Sequence, residues 1–148
     1  MIAQRTRRPS ISRNRELLIT EADFDRLRHL AESPRYRVSH AMLLATLKEG
    51  LERCRVVEPA RVPHGVVTMH SKVKVRDVKS GDTETYTLVF PDDADLDAGR
   101  LSVLAPLGTA LLGARAGEAV EFAAPAGRRR LKVEQVLYQP EAAGDFHL

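Results

Sequence analysis

Side chains that could carry acid–base, nucleophilic or metal chemistry are scattered along the chain. The five histidines follow no H-x-x-x-H or His/Cys spacing, and a single cysteine, Cys54, excludes a metal site built from several thiolates. The patterns that cradle phosphates, G-x-x-x-x-G-K and G-x-G-x-x-G, do not occur. The sequence therefore predicts no catalytic residue, no metal site and no cofactor, and we expect no small-molecule substrate.

Four aspartates crowd one loop, but they lack the glycine and the terminal glutamate of a calcium-binding loop. We interpret this loop as a solvated acidic turn or as a surface for a basic partner. Its carboxylates belong to Asp92, Asp93, Asp95 and Asp97.

Length and charge limit the organisation of the chain. Its 148 residues suffice for one good core with a small attachment. No apolar run approaches the length that spans a bilayer, and residues 1–15 lack the apolar centre of a signal peptide, so we expect a cytoplasmic protein without membrane contact. Residues 1–15 hold five arginines and no acid, which is a charge of +5. Because the whole chain has a net charge of +3, the remaining residues carry −2. We predict a disordered basic leader that contacts nucleic acid at most weakly.

Residues 16–58 have the pattern of a short antiparallel helical hairpin. Thr20 is a candidate N-cap with Asp23 three residues later, and a helical period follows from about Glu21 to Glu32. Ser33-Pro34 ends this helix. Ser39 can cap a second helix from about His40 to Val56. Prolines within residues 59–65 then indicate an extended linker.

From residue 66 to residue 148 the apolar period changes to two, which is typical of strands. A strand with Leu101 and Val103 is followed by Pro106 and one short helix, Leu107 to Ala114. A helix of about two turns is unstable alone, so its apolar side chains must be buried against the strands. The pattern predicts an α+β domain, an antiparallel sheet of about five strands with one helix inserted. The other predicted strands are Val66–Val78, Thr83–Phe90, Ala119–Ala123 and Arg130–Tyr138.

The run R-L-S-V-L-A-P-L-G-T-A-L-L-G-A-R-A-G, from Arg100 to Gly117, resembles a signature of the bacterial Gre transcript-cleavage factors, S-x-x-S-P-L-G-x-A-L-L-G-x-x-x-G-D. Ala105-Pro106 replaces the Ser-Pro of the signature, and Gly117-Glu118 replaces its Gly-Asp. The later run Y-Q-P-E-A-A-G-D narrows the resemblance to the branch named for regulation of nucleoside diphosphate kinase. The resemblance covers nearly all of the chain after Arg15, and it implies an FKBP-like fold for residues 66–148.

Gre factors are described as inserting a long helical hairpin into the secondary channel of RNA polymerase, where acidic residues at its tip hold a magnesium ion that activates water. The predicted tip here is Ser33–Val38, with two arginines and no acid, and the arms are short. Because magnesium requires oxygen ligands, the resemblance implies a regulator that does not stimulate transcript cleavage.

The resemblance to Gre factors also implies a loop that binds RNA polymerase. In Gre factors the Ser-Pro loop lies against a helical hairpin of the polymerase at the channel rim, and the matching loop here is Ala105, Pro106, Leu107 and Gly108. Arg35, Tyr36 and Arg37 at the tip are further candidates for contact with polymerase or nucleic acid.

We therefore predict a non-enzymatic transcription regulator. It would bind RNA polymerase at the secondary-channel entrance, compete with Gre-type factors, and affect nucleoside diphosphate kinase levels indirectly. A direct protein-binding regulator of that kinase is one alternative. An FKBP-fold enzyme such as a peptidyl-prolyl isomerase is another, although such enzymes line a proline pocket with several rings including tryptophan, and this chain has no tryptophan.

Overall fold

The first helix of the computed structural model, which describes residues 16–145, is α1, Glu21–Ala31. It begins after Thr20, whose Oγ1 accepts a hydrogen bond from the Asp23 backbone N–H at 3.2 Å. The predicted N-cap is therefore confirmed. Leu27 is fully buried, so α1 turns its apolar stripe to the core.

A 3-10 helix, Pro34–Tyr36, leads to the second helix, α2, Ala41–Glu52. The residue before α2 is His40 rather than Ser39, and no side chain caps this end. Helix α2 was predicted to reach Val56, but Arg55–Val56 form a short strand, β2, parallel to β1, Leu18–Ile19. The Arg55 N–H donates to the Leu17 carbonyl at 2.8 Å, and this tertiary pairing ends the helix early.

The main sheet has the strand order β5-β4-β3-β7-β6. Three of its neighbouring pairs are antiparallel, but β4 and β5 are parallel. The predicted all-antiparallel sheet is therefore wrong, and the sheet is mixed. The reason is that residues 90–99 form a crossover rather than a hairpin turn, so β5 runs in the direction of β4. The strands are β3 Lys72–Asp77, β4 Thr83–Val89, β5 Arg100–Ser102, β6 Ala119–Ala124 and β7 Gly127–Tyr138.

Two further helices accompany the sheet. Helix α3, Pro106–Leu111, is shorter than predicted, because the chain turns through Gly113 at φ +83°. The predicted burial of this helix is confirmed, since Leu111 and Ala114 are fully buried. Helix α4, Pro140–Ala143, was not predicted, and it makes two helices where one was expected.

The helices and the sheet share one hydrophobic core. Leu27 of α1 and Leu47 of α2 belong to the same buried cluster as Val73 of β3 and Leu111 of α3. The segment predicted to be an extended linker contains a 3-10 helix, Pro59–Arg61, and the next residue, Val62, is buried. The fold class is α+β; the FKBP-like assignment and the domain boundaries stay predictions.

The segment between this 3-10 helix and β3 is held by hydrogen bonds rather than by the predicted strand pairing. The Val67 N–H donates to the Ala114 carbonyl at 2.8 Å, and the Gln139 Nε2 donates to the Pro63 and Val66 carbonyls at 2.9 and 2.8 Å. None of the helices within residues 16–145 has the length and apolar character needed to cross a bilayer.

Candidate partner-binding site

The predicted docking loop joins β5 to α3 through a rigid turn. Pro106 is the first residue of α3, where its missing N–H costs nothing, and Ala105 precedes it in an extended conformation. The Ala105 N–H donates to the Ser102 carbonyl at 2.9 Å, and the Thr109 N–H donates to the Ala105 carbonyl at 2.9 Å. Both bonds fix the loop against its own flanks.

The four predicted loop residues differ in accessibility. Pro106 is exposed and Ala105 is half-buried, whereas Leu107 and Gly108 are buried. Leu107 belongs to the shared core, so its side chain is already occupied. Only Ala105 and Pro106 therefore present side-chain surface to a partner, and the two buried residues shape the loop from beneath.

Gly108 is required by close packing. A Cβ built on it would lie 2.0 Å from the Ser102 carbonyl oxygen and 3.0 Å from the Val103 Cα. These neighbours are backbone atoms that cannot rotate away. Helix α3 therefore approaches the preceding strand as closely as only glycine allows.

The predicted tip residues lie in and just after the 3-10 helix Pro34–Tyr36. The Ser33 Oγ accepts a hydrogen bond from the Arg35 N–H at 3.2 Å, which orders the start of the turn. Arg35 and Arg37 are exposed, while Tyr36 is half-buried and packs against the core with its ring 5.4 Å from that of His40. Tyr36 therefore anchors the tip, and the arginines are the groups a partner would meet.

The tip is folded against the sheet domain rather than projecting from it. Arg35 pairs with Asp92 in the loop after β4, with Nη1 3.2 Å from Oδ1. Nearer the base of α1, the Arg26 guanidinium lies 4.2 Å from the centre of the Phe90 ring. Two contacts thus hold one side of α1 and the tip to residues 90–92.

Two of the four aspartates of that loop form ion pairs with arginines of the same protein. Asp92 pairs with Arg35, and Asp95 pairs with Arg100 at 3.5 Å. Among residues 16–145 no group of three histidine, cysteine, aspartate or glutamate side chains is arranged to hold a metal ion. The loop thus binds two basic side chains of the same protein, Arg35 and Arg100.

Two exposed apolar side chains beside the tip were not predicted. Val38 is 90% exposed and Met42 is 70% exposed, four residues apart at the start of α2. Met42 is on the face of α2 opposite the buried residues Leu44, Leu47 and Leu51. An apolar residue outside that stripe was the sequence pattern that could have predicted an exposed apolar side chain here. With Arg35 and Arg37 they form the surface that we call the tip patch, made of Arg35, Arg37, Val38 and Met42.

The most strongly perturbed carboxyl is Asp23, far along the chain from both predicted groups. Burial raises its pKa from 3.8 to about 7, with the negative charge of Glu141 adding to the effect and Arg26 opposing it. Glu141 itself accepts a hydrogen bond from the Thr68 hydroxyl at 2.7 Å. The hydrogen bond to Thr68 ties α4 to residue 68, and Asp23 and Glu141 line one surface pocket together with Glu58 and Asp145.

A half-buried histidine, His70, lies just before β3. His70 has φ +68° and lies 5.8 Å from the Phe90 ring, and its buried Nδ1 has no hydrogen-bond partner within residues 16–145. Burial and the nearby Arg26 lower its pKa, which Asp93 partly offsets. In the described part of the chain no nucleophilic side chain bonds to it, so a nucleophile–base pair is not formed there.

The structure keeps the two predicted binding groups separate. The tip residues contact the loop after β4, whereas the docking loop lies between β5 and α3. Within residues 16–145 no hydrogen bond or ion pair connects the tip patch to Ala105 or Pro106. A partner that contacts both must span two surfaces of the protein.

The sequence of the chain is similar to those of several known proteins. The family model described as "Transcription elongation factor, GreA/GreB, C-term" matches residues 62–138. The chain is 38% identical over 133 residues to the regulator of nucleoside diphosphate kinase of Escherichia coli K12, covering 89% of this chain and 96% of that protein. It is 31% identical over 129 residues to transcription elongation factor GreA of Amoebophilus asiaticus, covering 87% and 78%.

A solved structure gives the same result. The prokaryotic transcription elongation factor GreA/GreB from Nitrosomonas europaea superposes with a TM-score of 0.69 at 35% identity, covering 84% of this chain and 99% of that one. The match extends beyond the sheet domain, since the shared 84% exceeds the part covered by the family model. On this sequence and structural agreement, the chain belongs to the GreA/GreB family of transcription elongation factors.

Proposed function

We propose that this protein binds RNA polymerase at the entrance of the secondary channel and regulates transcription without stimulating transcript cleavage. The observation that carries the proposal is the turn of half-buried Ala105 and exposed Pro106, held by backbone hydrogen bonds on a strand–helix corner. A preorganised turn loses little conformational entropy when it docks.

Membership of the GreA/GreB family supports the choice of partner. Two of the relatives named above, from Amoebophilus asiaticus and Nitrosomonas europaea, are transcription elongation factors, and the docking loop lies within the matched residues 62–138. In this protein Ala105 replaces the serine of the Gre signature, so the contact we propose is apolar and depends on Pro106.

The geometry of the tip supports the absence of cleavage stimulation. Arg35 and Arg37 are cationic, and Arg35 is held against Asp92. Helices of 11 and 12 residues are about 17 and 18 Å long, a short reach for a channel. A magnesium ion would meet positive charge at this tip, with Glu32 the nearest carboxylate in sequence.

The experiment that tests the proposal is a pull-down of core RNA polymerase by the tagged full-length protein and by its Pro106→Arg variant. We expect the parent to retain polymerase and the variant to lose most of the binding, because a charged side chain replaces the apolar contact. Pro125→Arg is the matched control, since Pro125 is equally an exposed proline but lies in the β6–β7 turn. Undiminished binding by Pro106→Arg removes the docking loop from the proposal, and no binding by the parent removes the proposal itself.

An effect on nucleoside diphosphate kinase is a second candidate, favoured by the name of the Escherichia coli relative. We propose that any such effect is indirect and follows from altered transcription. A direct contact predicts that the purified kinase is retained by the tagged protein in the absence of polymerase. Retention of the kinase by both the parent and Pro106→Arg would replace the indirect account with the direct one.

A further inference from the structure

The main sheet has one face covered by helices and one face open to solvent. Val73 and Val75 of β3 and Leu131 and Val133 of β7 are buried in the core. Because side chains alternate along a strand, the even-numbered residues at positions 72–76 of β3 and 128–132 of β7 point to the other face. All six are basic, and we call the surface that they form the basic face: Lys72, Lys74, Arg76, Arg128, Arg130 and Lys132.

The strand register brings these cations together. Arg76 of β3 is directly opposite Lys132 of β7. A like-charge pair at opposed positions destabilises a sheet. The sheet thus keeps a repulsive pair at its centre, which is relieved in part by Glu134, whose Oε2 lies 3.1 Å from the Arg76 Nε.

Few acids compensate the basic face. Glu134 is bound to Arg76, and Glu121 of β6 serves both Arg128 at 3.8 Å and Arg130 at 3.9 Å. No ion pair within residues 16–145 involves the other three cations, Lys72, Lys74 and Lys132. The six cations and the two glutamates paired with them carry a local excess of four positive charges, on a chain whose residues outside the leader carry −2 in total. At one edge of the face, Lys72 and Thr87 line a pocket with the acidic residues Asp92, Asp93 and Asp95, so the excess is concentrated at the other five cations.

Neutral hydrogen-bond donors border the cations. Thr83, Thr85 and Thr87 of β4 are opposite Arg76, Lys74 and Lys72, so they lie on the same face. Lysine, arginine and threonine side chains are typical phosphate contacts in protein complexes with nucleic acids. The face is therefore a broad surface of cations and hydroxyls.

We propose that the basic face binds the sugar–phosphate backbone of a nucleic acid, independently of base sequence. Protein–protein interfaces are depleted in lysine, whereas nucleic-acid interfaces are strongly positive, and three of the six cations of this face are lysines. The surface is distinct from the leader and from both surfaces assigned to polymerase. The inference does not depend on the proposed function, because it requires only charge and register.

The test is fluorescence anisotropy of a labelled single-stranded RNA of about 20 nucleotides, titrated with the full-length protein. We expect a dissociation constant on the order of 10⁻⁴ to 10⁻⁶ M at physiological salt, equal for unrelated sequences. The double variant Lys74→Gln/Lys132→Gln should bind about tenfold more weakly at 0.15 M salt, and its salt slope should fall by about 1.4. The control Arg28→Gln/Lys48→Gln removes two exposed cations of the hairpin and should leave both quantities unchanged.

Two results would overturn the inference. In one, Lys74→Gln/Lys132→Gln binds RNA as the parent does, while Arg5→Gln/Arg7→Gln/Arg8→Gln loses binding, so the leader is the binding element. In the other, polyglutamate displaces the RNA as well as unlabelled RNA of equal charge does, so the face selects an acidic protein chain no less than a nucleic acid. Circular dichroism of each variant separates lost binding from lost fold, and a folded double variant that retains full affinity contradicts the inference by itself.

Discussion

At the residue scale, Gly108 determines the shape of the docking loop. A β-carbon there would overlap the Ser102 carbonyl oxygen, so we expect Gly108→Ala to lower the free energy of unfolding by about 1–3 kcal/mol or more. Urea denaturation of parent and variant measures this. Gly117→Ala is the comparison for backbone strain without a clash, because Gly117 has φ +95° but nothing within 4 Å of the added carbon. Gly108 lies in α3 and has no left-handed φ, so a loss of less than about 0.5 kcal/mol for Gly108→Ala would contradict the close-approach argument.

Asp23 makes stability depend on pH. Its carboxyl titrates at 3.8 in a model peptide and at about 7 in the folded protein, so folding favours the protonated form. This contribution is complete below about pH 3.8 and is lost as the pH rises through about 7. We expect Asp23→Asn to gain stability relative to the parent across that interval, by on the order of 4 kcal/mol, and to keep a constant advantage above it.

Urea unfolding at a series of pH values checks this expectation. Asp25→Asn is the control for charge removal, because Asp25 is exposed on the same helix. A difference between Asp23→Asn and the parent that does not change with pH would contradict the burial argument.

The sequence predicted which residues belong to the core or to the docking loop better than it predicted the neighbours of each residue. The signature indicated the Ala105-Pro106 loop, and apolar spacing indicated Leu27 and Leu111 as core. Asp23 was predicted as part of a helix cap, yet its carboxyl is buried beside Glu141. Contacts between residues more than a hundred positions apart leave no local pattern, so this pairing was not predictable.

At the scale of elements, the hairpin is held by its core contacts more than by its tip. Arg35 and Asp92 are 70% and 79% exposed, so we expect Arg35→Ala to cost less than about 1 kcal/mol of unfolding free energy. Leu27 is fully buried in the shared core, so Leu27→Ala should cost about 2–5 kcal/mol. Thermal or urea unfolding of both variants tests the contrast, and a larger loss for Arg35→Ala would mean that the tip contact anchors the hairpin.

The short arms lead to a prediction about the tip. If reach as well as charge prevents cleavage stimulation, Arg35→Asp/Arg37→Glu should not shorten RNA in backtracked elongation complexes, although it supplies two carboxylates. Gel analysis of labelled transcripts measures this. The parent is the matched control for polymerase's intrinsic cleavage, and shortening beyond that level would show that the arms are long enough.

Most elements were predictable, and the failures have tertiary causes. The period of two indicated the strands of the main sheet, although buried and exposed side chains alternate in β3 and β6 and not in β4. The parallel pairing of β5 was missed because direction depends on the crossover through residues 90–99, which periodicity does not encode. The early end of α2 was missed for a similar reason, because β2 exists only through its pairing with β1.

At the scale of the whole molecule, the hairpin and the sheet form one structural unit. One buried cluster contains residues of both, and Arg26 and Arg35 tie α1 and the tip to residues 90–92. The sequence favoured a helical hairpin attached to the sheet through an extended linker. A proline-rich segment between a helical period and a strand period is typical of a domain boundary. The structure shows why that interpretation was incomplete, since Val62 is buried where the linker was expected.

The separation of positive and negative charge over the surface is a property of the whole molecule. The residues outside the leader carry −2, yet the open face of the sheet has an excess of positive charge. A total charge cannot reveal this separation, because it appears only when the strand register brings β3 and β7 together. The molecule therefore offers an acidic loop, a basic face and an apolar loop as three different surfaces.

The central claim is that this protein occupies the entrance of the polymerase channel without cleaving RNA. The most direct measurement is transcript cleavage by a GreA factor in backtracked complexes, with increasing amounts of this protein added. The account predicts that GreA-stimulated cleavage falls as the protein is added, that Pro106→Arg lowers it less, and that the protein alone shortens no transcript. Unchanged GreA activity at saturating protein, or cleavage by the protein itself, would contradict it.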